Sequence, residues 1–266
     1  MASVYLARPT ASPGAVPTYA IKRLKPRWEQ DLQGVEFIRR DLAAARAVAH
    51  PNVVSILDWS VRQPPYFVVM PYLTGETLAV LVEACRRPAP PLALWITRQI
   101  AAGLSALHAG GFVHADVKPS NIMIAPDGHA TLFDLGLAMV PGQQRSAAER
   151  PVVGTLHYMA PEMLLSRLAV DARSDVYSLG VSFYEMLTGR LPYEGRNPAE
   201  IAQMQREGVP DRLRCLMPHL ATEIVHLVRQ MLANDPLRRP TASELVERLV
   251  RLEIATLAER IPDCAA

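Results

Sequence analysis

His114-Ala-Asp-Val-Lys-Pro-Ser-Asn121, followed by Asp134-Leu-Gly136, is the stretch on which the reading of this 266-residue chain turns. An Asp, a Lys and an Asn stand at positions 116, 118 and 121, with a second Asp at 134. A turn carrying Asp-x-Lys-Pro-x-x-Asn can aim a carboxylate, an ammonium and an amide into one small cleft. Two short apolar runs follow, Ile122-Met-Ile124 and Ala130-Thr-Leu-Phe133, separated by the turn residues Pro126-Asp-Gly128. They predict a hairpin that returns Asp134 to the side of Asn121. An amide and a carboxylate oxygen suit Mg2+, a hard ion held by few protein ligands together with substrate phosphates. A base, a cation and two metal ligands are the parts phosphoryl transfer needs.

The order of motifs along the chain points the same way. His114-Ala-Asp-x-Lys-Pro-x-x-Asn121 resembles the catalytic loop of protein kinases, and Asp134-Leu-Gly136 resembles their metal-binding Asp-Phe-Gly. Ala20-Ile-Lys22 precedes them. Gly154-Thr-x-x-Tyr-Met-Ala-Pro-Glu162, Asp175-Val-Tyr-Ser-Leu-Gly180 and Asp235-Pro-Leu-Arg-Arg-Pro240 follow. A single tripeptide of this kind arises by chance; the ordered series spans nearly the whole chain and is most similar to bacterial Ser/Thr kinases of eukaryotic type. The resemblance implies an α+β, bilobal fold. Residues 1–73 would form a small lobe of antiparallel sheet with one helix, and 74–266 a larger, mainly helical lobe.

Composition excludes other classes. Half the residues are hydrophobic, mean hydropathy is +0.08 and the formal net charge is +2, so nucleic acid or an anionic membrane is not expected as the main partner. No apolar run approaches the roughly 18–20 residues that span a bilayer, and the first residues lack a signal-peptide pattern. Cys85, Cys215 and Cys264 are scattered and odd in number, as in a reduced, cytoplasmic protein. Of 28 basic residues only three are lysines: Lys22, Lys25 and Lys118. An arginine-rich chain nevertheless keeps Lys at both positions where the kinase pattern has it. A compact ammonium and a planar guanidinium do not meet phosphates alike.

Within the small lobe, residues 1–8 and Tyr19–Leu24 read as strands, with Lys22 on the second. Apolar residues at 35, 38, 42, 45 and 49 mark a helix from about Trp28 to Ala49. Val53–Asp58 and Tyr66–Met70 read as two further strands, and Pro71-Tyr-Leu-Thr-Gly75 as the hinge. By resemblance, ATP is the nucleotide. Val4, Ala20 and Met123 would line its adenine, Met70 would stand behind it, and the Pro71 carbonyl and Leu73 backbone would bond its edge. Lys22 would grip the α- and β-phosphates, positioned by Asp41, which lies 19 residues on, the family's spacing. Glu36 is in the wrong register for that role.

Beyond the hinge, Ile96, Ile100, Leu104 and Leu107 mark a helix ending near Gly110-Gly111, and residues 175–187 read as a buried central helix. Asn197-Pro-Ala-Glu200 and Thr241-Ala-Ser-Glu244 read as capped helix starts, and a further helix is expected at about 222–232. Glu162 and Arg239 resemble the buried ion pair of the family's large lobe, and Pro141 to Val153 is expected to be the most mobile loop. Asp116 would orient a protein Ser or Thr hydroxyl and accept its proton, Lys118 would neutralise the γ-phosphoryl, and Asn121 and Asp134 would hold Mg2+.

Four departures stand beside these matches. Ala2 aligns with the third glycine of the family's Gly-x-Gly-x-x-Gly loop, so its first two glycines and first strand are absent. A start codon placed too late is the favoured account, a chain without this lid the other. Asp41 replaces a Glu, and Ala45 is small where a larger apolar residue usually stacks the helix. Ala115 replaces an Arg that grips a phosphate on the activation loop, so phosphorylation at Ser146 is not expected to act as a strong switch. These departures favour a pseudokinase or nucleotide-binding signalling scaffold; the complete set Lys22, Asp116, Lys118, Asn121 and Asp134 favours a Ser/Thr protein kinase, the preferred reading. Small-molecule phosphorylation is a third and less well matched possibility. Substrate identity and oligomeric state are not encoded in any motif.

Overall fold

A computed structural model describes residues 1–11, 14, 16–84, 87–142, 153–164, 171–208 and 212–258. The chain opens with β1 (Ala2–Ala7) and β2 (Tyr19–Leu24), continues through α1 (Leu32–Arg46), and adds β3 (Asp58–Ser60) and β4 (Phe67–Pro71). These four strands form one antiparallel sheet in the order β1-β2-β4-β3. Register sets Val4 opposite Lys22, and Ala20 opposite Met70. The alternation of a half-buried strand therefore places these residues in a shared neighbourhood without further folding information.

Helix α1 begins where Asp31 caps it, its carboxylate accepting from the Gln33 amide at 2.8 Å. It is shorter than the apolar stripe suggests. Pro26–Trp28 forms a separate 3-10 turn, and the helix ends at Arg46, ahead of His50-Pro51. A second expectation is corrected: of Val53–Asp58 only Asp58 lies in a strand. Val53 and Val54 are buried, but they pack among Ala44, Ala45, Leu107, Leu135 and Ala138, and the paired strand is Asp58–Ser60. A buried extended segment and a buried strand share one apolar pattern. The lateral partner decides between them, and here the Val54 amide donates to Leu132 O on a distant hairpin.

After the hinge come β5 (Glu76–Thr77), α2 (Leu78–Glu83) and α3 (Pro90–Ala109), then the hairpin β6 (Ile122–Ile124) and β7 (Ala130–Leu132). β5, β6 and β7 form a small antiparallel sheet. Gly75 has φ of +115°, and a Cβ there would stand 2.0 Å from Ile124 O, so only glycine lets the hinge pass this close to the hairpin. The remainder is helical: α4 (Pro161–Leu164), α5 (Ala172–Thr188), α6 (Pro198–Glu207), α7 (Arg212–Leu216), α8 (Thr222–Met231) and α9 (Ala242–Ala258). Helix α5 is buried nearly all round, and the main core gathers on it from α3, α8 and α9. Asn197 and Thr241 cap their helices reciprocally with Glu200 and Glu244, as their spacing predicts. The architecture is α+β, a small antiparallel sheet with one helix set against a mainly helical mass.

Candidate active site

A cleft of about 700 Å3, its open mouth included, lies between the four-stranded sheet and the β6–β7 hairpin. Its walls include Val4, Ala20, Lys22, Asp41, Met70, Leu73, Met123 and Asp134, all expected there, together with Pro71. Val54, Ile56, Tyr72 and Phe133 also line it and had no motif to mark them. An apolar lining with few polar groups is the usual chemistry of small-molecule sites.

At the polar end, β2 delivers Lys22 into a buried position. Its Nζ donates to Asp41 Oδ2 at 2.5 Å and to Asp134 Oδ1 at 2.7 Å. Asp41 reaches Lys22 despite its short side chain, because α1 lies close over the sheet and Ala45 is buried against Leu135 and its neighbours. Its second oxygen accepts from the Leu135 amide at 3.2 Å, so one carboxylate ties the strand Lys to the Asp134-Leu-Gly136 segment. Burial alone would lower the Lys22 pKa, but Asp41 and then Asp134 outweigh it, and the ammonium is held above its ordinary value. Burial alone would raise the Asp134 pKa. Lys22, followed by His114 and Lys118, outweighs it and holds this carboxylate below the ordinary range. Both groups therefore stay charged at neutral pH. Glu36 points elsewhere, pairing with Arg40 on the same helix.

The loop 114–121 brings the remaining residues together. Asp116 is buried, and its two oxygens differ. Oδ2 accepts from Lys118 Nζ at 2.8 Å and from Asn121 Nδ2 at 2.9 Å, whereas Oδ1 is buried with no hydrogen-bond partner among the described residues. A buried carboxylate oxygen without a donor is costly in a folded protein unless something else supplies one. Asn121 Nδ2 also donates to the Asp116 backbone carbonyl at 2.9 Å, which commits the amide nitrogen and leaves the amide oxygen as the side chain's acceptor. Asp134 is brought beside this loop by the Phe133 amide, which donates to Asn121 O at 3.0 Å. Asn121 and Asp134 are oxygen donors of the kind hard divalent ions prefer, and the ionised Asp134 fits that use.

What fixes the loop was not legible from its own motif. Asp175, at the start of α5 and fully buried, accepts the amides of His114 and Ala115 at 2.8 Å each, and lies 2.8 Å from His108 Nε2. Ala115 has φ of +63°, a conformation that costs a non-glycine residue on the order of 1–2 kcal/mol. Two charge-assisted bonds to one carboxylate hold it there. The Ala115 methyl is buried in an apolar cluster with Val113 and Met139, against which Met163 packs. Asn52, after α1, also joins the two parts. It donates to Ala130 O at 2.7 Å and to Gln99 at 3.2 Å. Most of the loop from Pro141 to Val153, with Ser146, lies outside the described residues, as do Cys85 and Cys264; Cys215 is exposed.

Comparison with known proteins agrees with this geometry. A family model described as "Protein kinase domain" matches residues 2–250. The chain is 32% identical over 247 residues to serine/threonine-protein kinase PrkC of Bacillus subtilis, covering 93% of this chain and 38% of PrkC. It is 32% identical over 241 residues to PknB of Mycobacterium leprae (88% of this chain, 38% of PknB). Against PknA of Corynebacterium glutamicum it is 32% identical over 251 residues, 92% of this chain and 52% of PknA. The chain thus spans between 38% and 52% of the length of these relatives. No helix among the described residues is long and apolar enough to cross a membrane.

Proposed function

The chain belongs to the protein kinase domain family, and from that premise we propose that it transfers the γ-phosphoryl group of ATP to Ser or Thr hydroxyls of protein substrates. The observation that carries this reading is the divided carboxylate of Asp116: one oxygen held by Lys118 and Asn121, the other buried and unpartnered. A substrate hydroxyl is the donor that Oδ1 lacks. As the hydroxyl oxygen bonds to the γ-phosphorus, its proton passes to Asp116 Oδ1 and the bond to the β-phosphate oxygen breaks, releasing ADP. Lys118, held beside Asp116, offsets charge on the transferring group.

The cleft bounded by Val4, Ala20, Met70, Leu73 and Met123 takes the adenine on this reading, and Lys22 takes the α- and β-phosphates. Asp41 positions Lys22 and does not touch the nucleotide phosphates itself. Asn121 and Asp134 would hold a divalent cation, Mg2+ on this reading; when bound it supplies charge neutralisation on the phosphates. On this reading residues 1–73 and 74–266 are the two lobes around the nucleotide, and the chain works in the cytoplasm, where ATP is supplied. The names of PrkC, PknB and PknA, each a serine/threonine-protein kinase, support the Ser/Thr assignment. The scaffold alternative draws no support from Asp41, whose ion pair with Lys22 is short and buried.

Transfer from labelled ATP with Mg2+, to the chain itself and to a generic basic protein, tests the proposal beside Asp116→Asn. The substitution keeps an oxygen for Lys118 and removes the base. It should lower transfer by about 10^2- to 10^4-fold. Equal transfer by both proteins would exclude Asp116 as the base, and no transfer by the unaltered chain would favour the scaffold.

A further inference from the structure

Phe37 carries no motif, yet it sits at the centre of the polar end of the cleft. Its ring lies under the Lys22 ammonium, with Nζ 4.4 Å from the ring centroid. The same ring packs on Gly136: a Cβ built there would meet three Phe37 ring atoms at 2.3, 2.3 and 2.7 Å. Gly136 is not among the residues with positive φ, so its backbone is open to any L-residue. The glycine is required by the ring and not by the turn. One helical turn on, Asp41 touches the same two groups, bonding Lys22 Nζ and the Leu135 amide.

We propose that Phe37 is a positioning residue for phosphoryl transfer: with Asp41, one turn away, it clasps Lys22 and the Asp134–Gly136 segment as a unit. The ring covers a side of the ammonium that water would otherwise reach, which strengthens the ion pairs to Asp41 and Asp134. Its edge against Gly136 fixes the height of the segment that carries Asp134. Because α1 supplies both Phe37 and Asp41, any shift of the helix moves Lys22 and Asp134 together. This inference rests on the proposed phosphotransfer reading of the site.

The test is a set of four variants, each measured for kcat, KM for ATP and thermal midpoint. Phe37→Leu keeps apolar cover and loses the ring face. Its KM for ATP should rise roughly three- to thirtyfold with a smaller change in kcat, since Lys22 binds phosphates that are present before and during transfer. Phe37→Tyr restores the ring and should recover most of that rise. Gly136→Ala should lower kcat by roughly tenfold or more, because the ring forbids the added methyl. Combining it with Phe37→Ala removes the obstacle, so the double variant should be more active than Gly136→Ala alone. A Phe37→Leu variant that loses thermal stability with KM and kcat unchanged would overturn the inference, as would a double variant no better than Gly136→Ala. Should the unaltered chain transfer no phosphate, the functional proposal fails by that result. The clasp is then read from thermal midpoints, where a double variant no more stable than Gly136→Ala overturns it.

Discussion

Two buried cations in this molecule are built from the same parts and finished differently. Lys22 sits against a Phe37 ring and two carboxylates; Arg239 sits against the Tyr177 ring, 4.8 Å from its centroid, and the Glu162 carboxylate. Every nitrogen of the Arg239 guanidinium has its partners, although the Tyr177 hydroxyl beyond the ring is buried without one among the described residues. Its guanidinium donates to both Glu162 oxygens at 2.6 and 2.8 Å and to the carbonyls of Ala233, Asn234 and Arg173, and Ser174 Oγ donates to Glu162 as well. Around Lys22 the set stays open on one side: the Asp134 side chain is 36% exposed to the cleft; on the 114–121 loop, Asp116 keeps an oxygen with no donor among the described residues. A saturated network resists change and serves the fold. An unsaturated one leaves capacity for a ligand. On the proposed reading the contrast separates structural from chemical charge where burial does not, since Lys22 and Arg239 are both buried.

The contrast can be broken at either end. Removing the open cation, Lys22→Met, should cost transfer roughly a hundred- to thousandfold, while circular dichroism still shows a folded chain. If transfer survives, the open network is not the chemical one. Removing the closed cation, Arg239→Ala, strands the buried Glu162 and should cost about 3–5 kcal/mol of stability in urea unfolding, with transfer per folded molecule little changed. A neutral result there would mean that saturation is not what the fold uses. pH sharpens the difference. Because the Lys22 pKa is raised in the fold, its stabilisation is complete below its ordinary 10.5 and is lost as pH rises through the folded value above that. The Asp134 pKa is lowered, so its share is present above the ordinary 3.8 and lost as pH falls through the lower folded value. Unfolding midpoints followed against pH should show an alkaline decline that Lys22→Met flattens. The smallest effect is expected far from both networks. Thr241→Ala removes the cap of α9 and should cost about 1 kcal/mol in the same assay, with kcat and KM untouched.

Local chemistry was legible in the sequence wherever neighbours in the chain suffice to define it. Asn197 and Thr241 do their work within a few residues, and so do the Asp127-Gly128 turn and the β6–β7 hairpin. Lys22, Asp116, Asn121 and Asp134 could be singled out by motif, and Asp41 by its distance from Lys22. What escaped depends on distant partners. Val53 and Val54 read as a strand because nothing in the run says that they will pack under α1. Asp175, 60 residues from Ala115, gives no sign that it holds that loop. Phe37 resembles any helix aromatic until Gly136 arrives beneath it. Val54, Ile56, Tyr72 and Phe133 are apolar residues among many, selected as cleft walls only by the fold.

The bond from Asp175 to the loop amides also sets how that loop moves. Loops ordinarily open alone, at little cost, well below the free energy of unfolding the domain. The His114 and Ala115 amides instead end on the most buried helix of the molecule, at a carboxylate with no exposure. To release them, water must reach a charge inside the core, and that event belongs to the cooperative loss of α5. The segment bearing Asp116 is thus tied to the domain's interior, and hydrogen exchange at those two amides should follow global unfolding while ordinary surface turns exchange many times over.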